Sequence, residues 1–374
     1  DVPMSASGVC QMAGNVREWC WNETAQGRCV CGGAWDDPTY MFGASQADPF
    51  DRSERCGARC VKDIAPQKVP AELLAPFAAA EKFRDYKAEK PVSDEVFRVY
   101  KDQFGYDKKP LDAVVEDRDE SNENWVKERI VFNAAYTDDN FYDSNRMPAY
   151  LFLPKNTPPP YQVVIYFPAG GGAPYPPTSR GEIEKRQFRR FDFIVKNGRA
   201  FMYPIYLFTY ERQVKNPVSV KPFSRDAVQN LIHWVQDCMR SIDYLETRKD
   251  IDTSKLAFLG WSWGVSVGRV ILAVEDRIKA GIFLLGGLFK IALERPEIDA
   301  FNYVPRIKIP ILMLNGKYDT IFPYEASVKP LYDYLGTPPQ DKFLKLYETD
   351  HYVPTGEIIK ETQAFLNKYL GPVK

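Results

Sequence analysis

The chain has 374 residues, more than a single domain needs, and the composition of a globular protein, 45% hydrophobic and 26% charged. Its 49 basic and 50 acidic residues include no polybasic block, so neither nucleic acid nor a membrane surface has an electrostatic reason to bind it. The apolar stretch from Gly281 to Phe289 is too short to cross a bilayer.

The first sixty residues are rich in Gly, Trp, Cys and turn formers and show little periodicity, so a small irregular module is expected over 1–62. The opening "DVPMSASGVC" lacks the charged and apolar regions of a signal peptide, which makes the cytoplasm the expected compartment. It also lacks an initiator Met, so a longer parent chain is expected. Six of the seven cysteines fall here, namely Cys10, Cys20, Cys29, Cys31, Cys56 and Cys60. Such clustering fits disulfides, a metal site or plain buried thiols, and the spacings Cys29-x-Cys31 and Cys56-x3-Cys60 are not standard for zinc.

Residues 63–90 read as a linker holding a short helix, and Ser93 is placed to cap the next helix, "DEVFRVYKDQF". Strand-like segments follow in "LDAVVED", "WVKERIVFNAAY" and "PAYLFLP". "NWVKERIVF" alternates, as a strand with one wet face would. Val163–Phe167 is continuously apolar, as in a strand buried on both sides, and "RAFMYPIY" repeats that pattern. A long amphipathic helix carries Val228, Leu231, Val235, Met239 and Ile242 on one face, with His233 away from that stripe and expected at the surface. Strands "KLAFLG", "KAGIFLLGG", "KIPILMLNG" and "KFLKLYE" then alternate with helices up to the closing "PTGEIIKETQAFLNKYL". This alternation predicts an α/β fold over 91–374, a mostly parallel sheet with helices on both faces.

Gly260-Trp261-Ser262-Trp263-Gly264 ends a predicted strand and begins a predicted helix. A turn that sharp excludes bulky side chains two residues either side of the serine and raises its hydroxyl clear of the sheet. The bland alternative is a polar residue in an ordinary Gly-flanked turn. A serine hydroxyl needs a base, and the chain has two histidines. His351, in "YETDHYVP" after the last predicted strand, can reach over the same sheet edge as Ser262. Asp319, just past the strand in "ILMLNGKYDTIFP", is the expected acid; Asp350, adjacent to His351, is its rival. The order Ser262, Asp319, His351 suits the architecture. The expected oxyanion donors are the N–H of Trp263 and that of Gly170 or Gly171 in "PAGGGAP". Trp261, Trp263, Tyr206, Phe208 and Tyr175 either wall a substrate site or pack the turn.

With "GWSWG", "NGKYDTIFP", "TDHYVP" and "FPAGGGAP" in view, residues from about Pro91 to Lys374 resemble an α/β-hydrolase, in particular the dienelactone-hydrolase and prolyl-oligopeptidase-like branch. The resemblance implies a serine hydrolase with Ser262 as nucleophile, Asp319 as acid and His351 as base. Many relatives carry His-Gly in the oxyanion loop, where this chain carries Pro168-Ala169. Through "MAGNVREWCWN", "RCVCGGAW" and "DRSERCGARCV", residues 1–62 resemble the C-terminal part of a formylglycine-generating-enzyme-like (sulfatase-modifying-factor) domain. That family's catalytic cysteine pair is missing from "DDPTYMFGASQADPF", so no oxidase activity is expected. The same resemblance implies a structural calcium near Asn15 and Glu18. The layout resembles the end of large bacterial proteins that join a Ser/Thr kinase, this module and a hydrolase.

The expected function is carboxylic-ester hydrolysis of small soluble esters through an acyl-enzyme, with no cofactor required for catalysis. The connection between "FLLGG" and "KIPILML" is too short for a large lid. The alternatives are a peptidase or acyltransferase of the same fold, or a non-catalytic module of a kinase-linked protein.

Overall fold

The structure is a computed structural model that describes residues 14–24, 27–35, 37, 42–48, 51–60, 70, 71, 75, 76, 83–137, 146–170, 188–210, 212 and 222–373. The N-terminal module is more regular than its sequence predicts. It forms a four-stranded sheet from β1 (Arg17–Thr24), β2 (Gly27–Gly32), β3 (Gly43–Ala47) and β4 (Cys56–Gly57), in the order β3-β2-β1-β4. Short strands and a register shift between Trp19 and Glu23 interrupt the two-residue alternation and hide it from a periodicity reading.

The large sheet contains nine strands. These are β5 (Val114–Asp119), β6 (Trp125–Asn133), β7 (Arg146–Pro154), β8 (Tyr161–Phe167), β9 (Ala200–Pro204), β10 (Ile251–Trp261), β11 (Ile278–Leu284), β12 (Ile311–Gly316) and β13 (Lys342–Tyr347). Their order is β13-β12-β11-β10-β8-β9-β7-β6-β5. All pairings from β13 to β9 are parallel, and those from β9 to β5 are antiparallel. The predicted helices form as α1 (Asp94–Asp102), α3 (Arg225–Glu246), α4 (Trp263–Val274), α5 (Lys329–Tyr334) and α6 (Thr355–Leu370), joined by a short α2 (Asp192–Lys196). Ser93 and Ser224 cap α1 and α3 by accepting from the N–H groups of Val96 and Ala227.

Alternate residues of β8 divide between two cores, as the two-residue period of a strand requires. Val163, Ile165 and Phe167 meet Leu231 and Val235 of α3 and Val267 and Ile271 of α4. Val164 and Tyr166 face the opposite side, with Ile194 and Val195 of α2 and Phe365 and Leu366 of α6. Helices therefore cover both faces, as expected. Among the described residues, no helix is long and apolar enough to cross a membrane.

Two local expectations are corrected, and a third, largely outside the described residues, gains an anchor. β6 has no wet face at its centre: Glu128 is buried between Arg118 and Arg248, and Arg129 is buried against Glu116. His233 is not at the surface. Its ring stacks on Tyr136 with centroids 3.6 Å apart and Nε2 is 2.8 Å from Gln229 Nε2, because the 134–137 segment covers the polar side of α3. The expected linker over 63–90 is anchored at its end, where Tyr86 is buried and donates to the Phe289 carbonyl while Arg84 pairs with Glu89 and Asp299.

Candidate active site

Ser262 stands at the carboxyl end of β10, where the chain turns directly into α4. In register, Gly260 pairs with Phe167 of β8 and with Phe283 of β11, so the serine emerges above the middle of the parallel sheet. Ser262 has φ 53° and ψ −104°, a left-handed backbone that side-chain-bearing residues rarely adopt. The two flanking glycines allow this. A Cβ at Gly264 would run into the Phe167 carbonyl, and one at Gly260 would meet the backbone of Gly264. The Ser262 N–H is satisfied by the Leu284 carbonyl at 2.8 Å, which fixes the turn against β11.

The three sequence-predicted polar residues converge. His351 Nε2 lies 2.9 Å from Ser262 Oγ, and His351 Nδ1 lies 2.6 Å from Asp319 Oδ2. Asp319 is fully buried, and its other oxygen accepts from the N–H groups of Ile321 at 2.8 Å and Phe322 at 3.0 Å. Those two bonds orient the carboxylate. Burial of the His351 ring disfavours its charged form, but Asp319, and after it Asp350, outweigh that effect and hold the imidazole above its ordinary value of 6.5. The rival acid Asp350 is engaged by Arg17 of the N-terminal module, and Asp319 is the carboxylate on Nδ1.

Trp263 is the first residue of α4, so its N–H has no carbonyl partner within the helix and the helix N-terminus faces the serine. Gly170 is buried at the carboxyl end of β8, next to β10, with φ 115°. Gly171 and Tyr175 lie outside the described residues.

The expected aromatic wall is largely core. Tyr206 is fully buried and stacks on Phe167 with centroids 3.8 Å apart, while Phe208 is buried edge-on to Trp234. Trp263 wedges between Phe167 and Trp234, and Trp261 packs on Phe191 under the Arg190 guanidinium. Large rings fill the space that the narrow Gly260–Gly264 turn leaves beneath it.

The calcium expectation does not fit the residues present. Calcium takes six to eight oxygen ligands. The Glu18 carboxylate is instead held by Arg59, with Nη2 at 2.6 Å and Nε at 3.0 and 3.1 Å from its oxygens, and Asn15 is exposed with φ 71°. Among the described residues, the group of three or more potential metal ligands consists of the thiols of Cys20, Cys29 and Cys31. No disulfide joins them. Sequence reasoning missed this grouping, although a Cys-x-Cys pair on one strand face opposite a third cysteine was its available signal.

The fold and the strained serine turn define an α/β-hydrolase architecture carrying a separate N-terminal sheet module. Residues 1–64 match the family described as the Sulfatase-modifying factor enzyme 1-like domain. Among solved structures, the chain is similar to an acetyl xylan esterase from a Paenibacillus species, with 17% identity, TM-score 0.55, and coverage of 76% of this chain and 98% of that one. It is also similar to acetyl xylan esterase 1 from a Thermoanaerobacterium species, with 12% identity, TM-score 0.56, and coverage of 75% and 96%. A cold-adapted esterase from an Arctic intertidal metagenomic library aligns with 18% identity and TM-score 0.50 over 70% of this chain and all of that one. No curated protein sequence matches the chain.

Proposed function

We propose that the protein is a serine carboxylic-ester hydrolase acting through an acyl-enzyme on small soluble esters. The observation that carries this reading is the unbroken hydrogen-bond series Ser262–His351–Asp319 at a strained strand-to-helix turn. In the first half-reaction Ser262 Oγ attacks the ester carbonyl and its proton passes to His351 Nε2. The negative charge that develops on the carbonyl oxygen is met by the Trp263 N–H and by Gly170 or Gly171. The bond to the leaving alkoxide breaks as that oxygen takes the proton from Nε2. In the second half, water attacks the acyl-enzyme, gives its proton to His351, and the acid leaves as Oγ is reprotonated. Asp319 holds the Nδ1–H tautomer and stabilises the transient imidazolium.

Two further features support esters of modest size. The connection from β11 to β12, residues 285–310, carries only 3-10 turns at Ala300–Asn302 and Val304–Arg306, too little for a large lid. The solved neighbours of this fold named above are esterases. Turnover of p-nitrophenyl acetate and butyrate, measured beside peptidyl amides and with fluorophosphonate labelling, tests the proposal. Ester turnover and labelling lost together in Ser262→Ala are expected. Absence of both in the wild-type chain, or preference for the amides, overturns it.

A further inference from the structure

The N-terminal module touches the large domain beside the residues that matter to its chemistry. Arg17, on β1, is 5% exposed, and its guanidinium reaches Asp350, the neighbour of His351. The module holds that arginine in place. Arg17 Nε and Nη2 bind Asp37 in a fork at 2.8 and 3.0 Å, and Asp37 also accepts from the Ala34 N–H and from Arg55. A second grip lies beside the acid: Tyr318, the neighbour of Asp319, hydrogen-bonds Asp48 of the module at 3.2 Å and Glu348 at 2.5 Å. The two loops are joined through their backbones, Lys317 N to Tyr347 O at 2.8 Å and Tyr318 N to Thr349 O at 2.9 Å.

We propose that the module clamps the acid–base edge of the hydrolase, with Arg17 as the positioning residue that holds Asp350 and thereby keeps His351 in line with Ser262. The proposal rests on the ester-hydrolase reading for its catalytic consequence but not for its geometry. The charged groups facing His351 are Asp319 from the loop after β12 and Asp350 from its own loop. Behind Asp350 stand Arg17, Asp37 and Arg55 of the module; Lys317, Glu348 and Asp48 flank Tyr318. Arg17 therefore does two things. It holds the Asp350 carboxylate in an ion pair, and it neutralises a charge that would otherwise favour the imidazolium.

The chain has two histidines, so ring-proton NMR can follow His351 in the full-length protein, assigned by its loss in His351→Gln. In Arg17→Met the His351 pKa rises, and in Asp350→Asn it falls. The double variant titrates like Asp350→Asn. With p-nitrophenyl acetate, Arg17→Met loses about ten- to a hundredfold in kcat with little change in KM, and Arg17→Lys recovers part of it. An unchanged His351 titration and kcat in Arg17→Met overturn the clamp. If that variant does not fold, an unchanged His351 pKa in Asp350→Asn overturns it instead. Loss of the ester-hydrolase reading has its own signature, a wild-type chain without ester turnover, and the NMR titration reads the clamp in that case too.

A different observation carries a second inference. The sulfurs of Cys20, Cys29 and Cys31 lie within 4.8 Å of one another, with Cys20 and Cys31 3.4 Å apart and Cys29 buried. Four sulfurs around tetrahedral zinc would be about 3.7 Å apart, given Zn–S bonds near 2.3 Å. We infer that the trio is a thiolate site for a soft cation of the zinc class, each ligating thiol releasing its proton and the fourth position facing solvent. Half-buried Cys20 and Cys31 leave that approach open. Equimolar zinc in the purified full chain is expected, along with an ultraviolet charge-transfer band on adding Cd2+ that is absent in Cys29→Ser. Either a Cys20–Cys31 disulfide in protein prepared without reductant, or no Cd2+ band in reduced protein, overturns the site.

Discussion

The two ends of the Ser262–His351–Asp319 hydrogen-bond series are held in place by different means. At the Ser262 end the turn itself is made within five residues: two glycines without which it cannot close, a strained serine between them, and the first N–H of a helix. At the Asp319–His351 end the loops rest on partners far away in the chain, Arg17 being 333 residues from the aspartate it holds. The contrast teaches that a group fixed by local sterics has its supports written beside it in sequence, whereas the supports of a docked loop, here Arg17 and Asp48, are not.

The largest expected effect belongs to the local end. Ser262→Ala should lower kcat for a p-nitrophenyl ester on the order of 10^6-fold while leaving the thermal midpoint near that of the parent. Asp319→Asn comes next, at about 10^4-fold in kcat, since the amide favours the wrong imidazole tautomer. Comparable kcat in Asp319→Asn and the parent would remove Asp319 from the proton path. Gly264→Ala sharpens the contrast by attacking sterics rather than chemistry. The added methyl meets the Phe167 carbonyl, so thermal unfolding should show a loss of about 1–3 kcal/mol together with weaker fluorophosphonate labelling. An alanine variant as stable and as reactive as the parent would mean that the turn is not sterically closed.

The pH response probes the docked end. In the proposed mechanism His351 must be neutral to act as base, so kcat/KM should fall as pH drops through its raised pKa. Stability runs the other way. A pKa raised on folding contributes stability that is fully present below the ordinary value of 6.5 and is lost as pH rises through the folded value. Thermal midpoints of the parent and of His351→Gln, compared across that window, should therefore converge as pH rises. The smallest effect is expected of Tyr206→Phe. Its hydroxyl is buried in the core without a hydrogen-bond partner among the described residues, so KM should hold and stability should change by less than about 1 kcal/mol. A large rise in KM would return Tyr206 to the substrate site.

Much of the fold was legible in the sequence, and for stated reasons. The buried run Val163–Phe167, the stripe on α3 and the capping serine Ser93 each report a local periodicity or a local hydrogen bond. His233 and Glu128 were misjudged because their burial comes from Tyr136 and from Arg118 and Arg248, none of them neighbours in sequence. The sequence left the roles of Tyr206 and Phe208 open for a related reason: an aromatic ring near a turn has the same signature whether it faces a cleft or fills the layer beneath it.

The sequence by itself determined the alternation of strand and helix and the steric logic of the Gly260–Gly264 turn, because each depends on side-chain size and polarity at short, fixed spacing, and it offered Asp319 and His351 by their places after predicted strands. Only the tertiary structure decided that Arg17 and Asp48 reach the loops carrying Asp350 and Tyr318, that three thiols share one sheet face, and which aromatic rings are core. Those outcomes depend on how separate layers pack and how sheets register, and contacts across such distances leave no pattern in the order of residues along the chain.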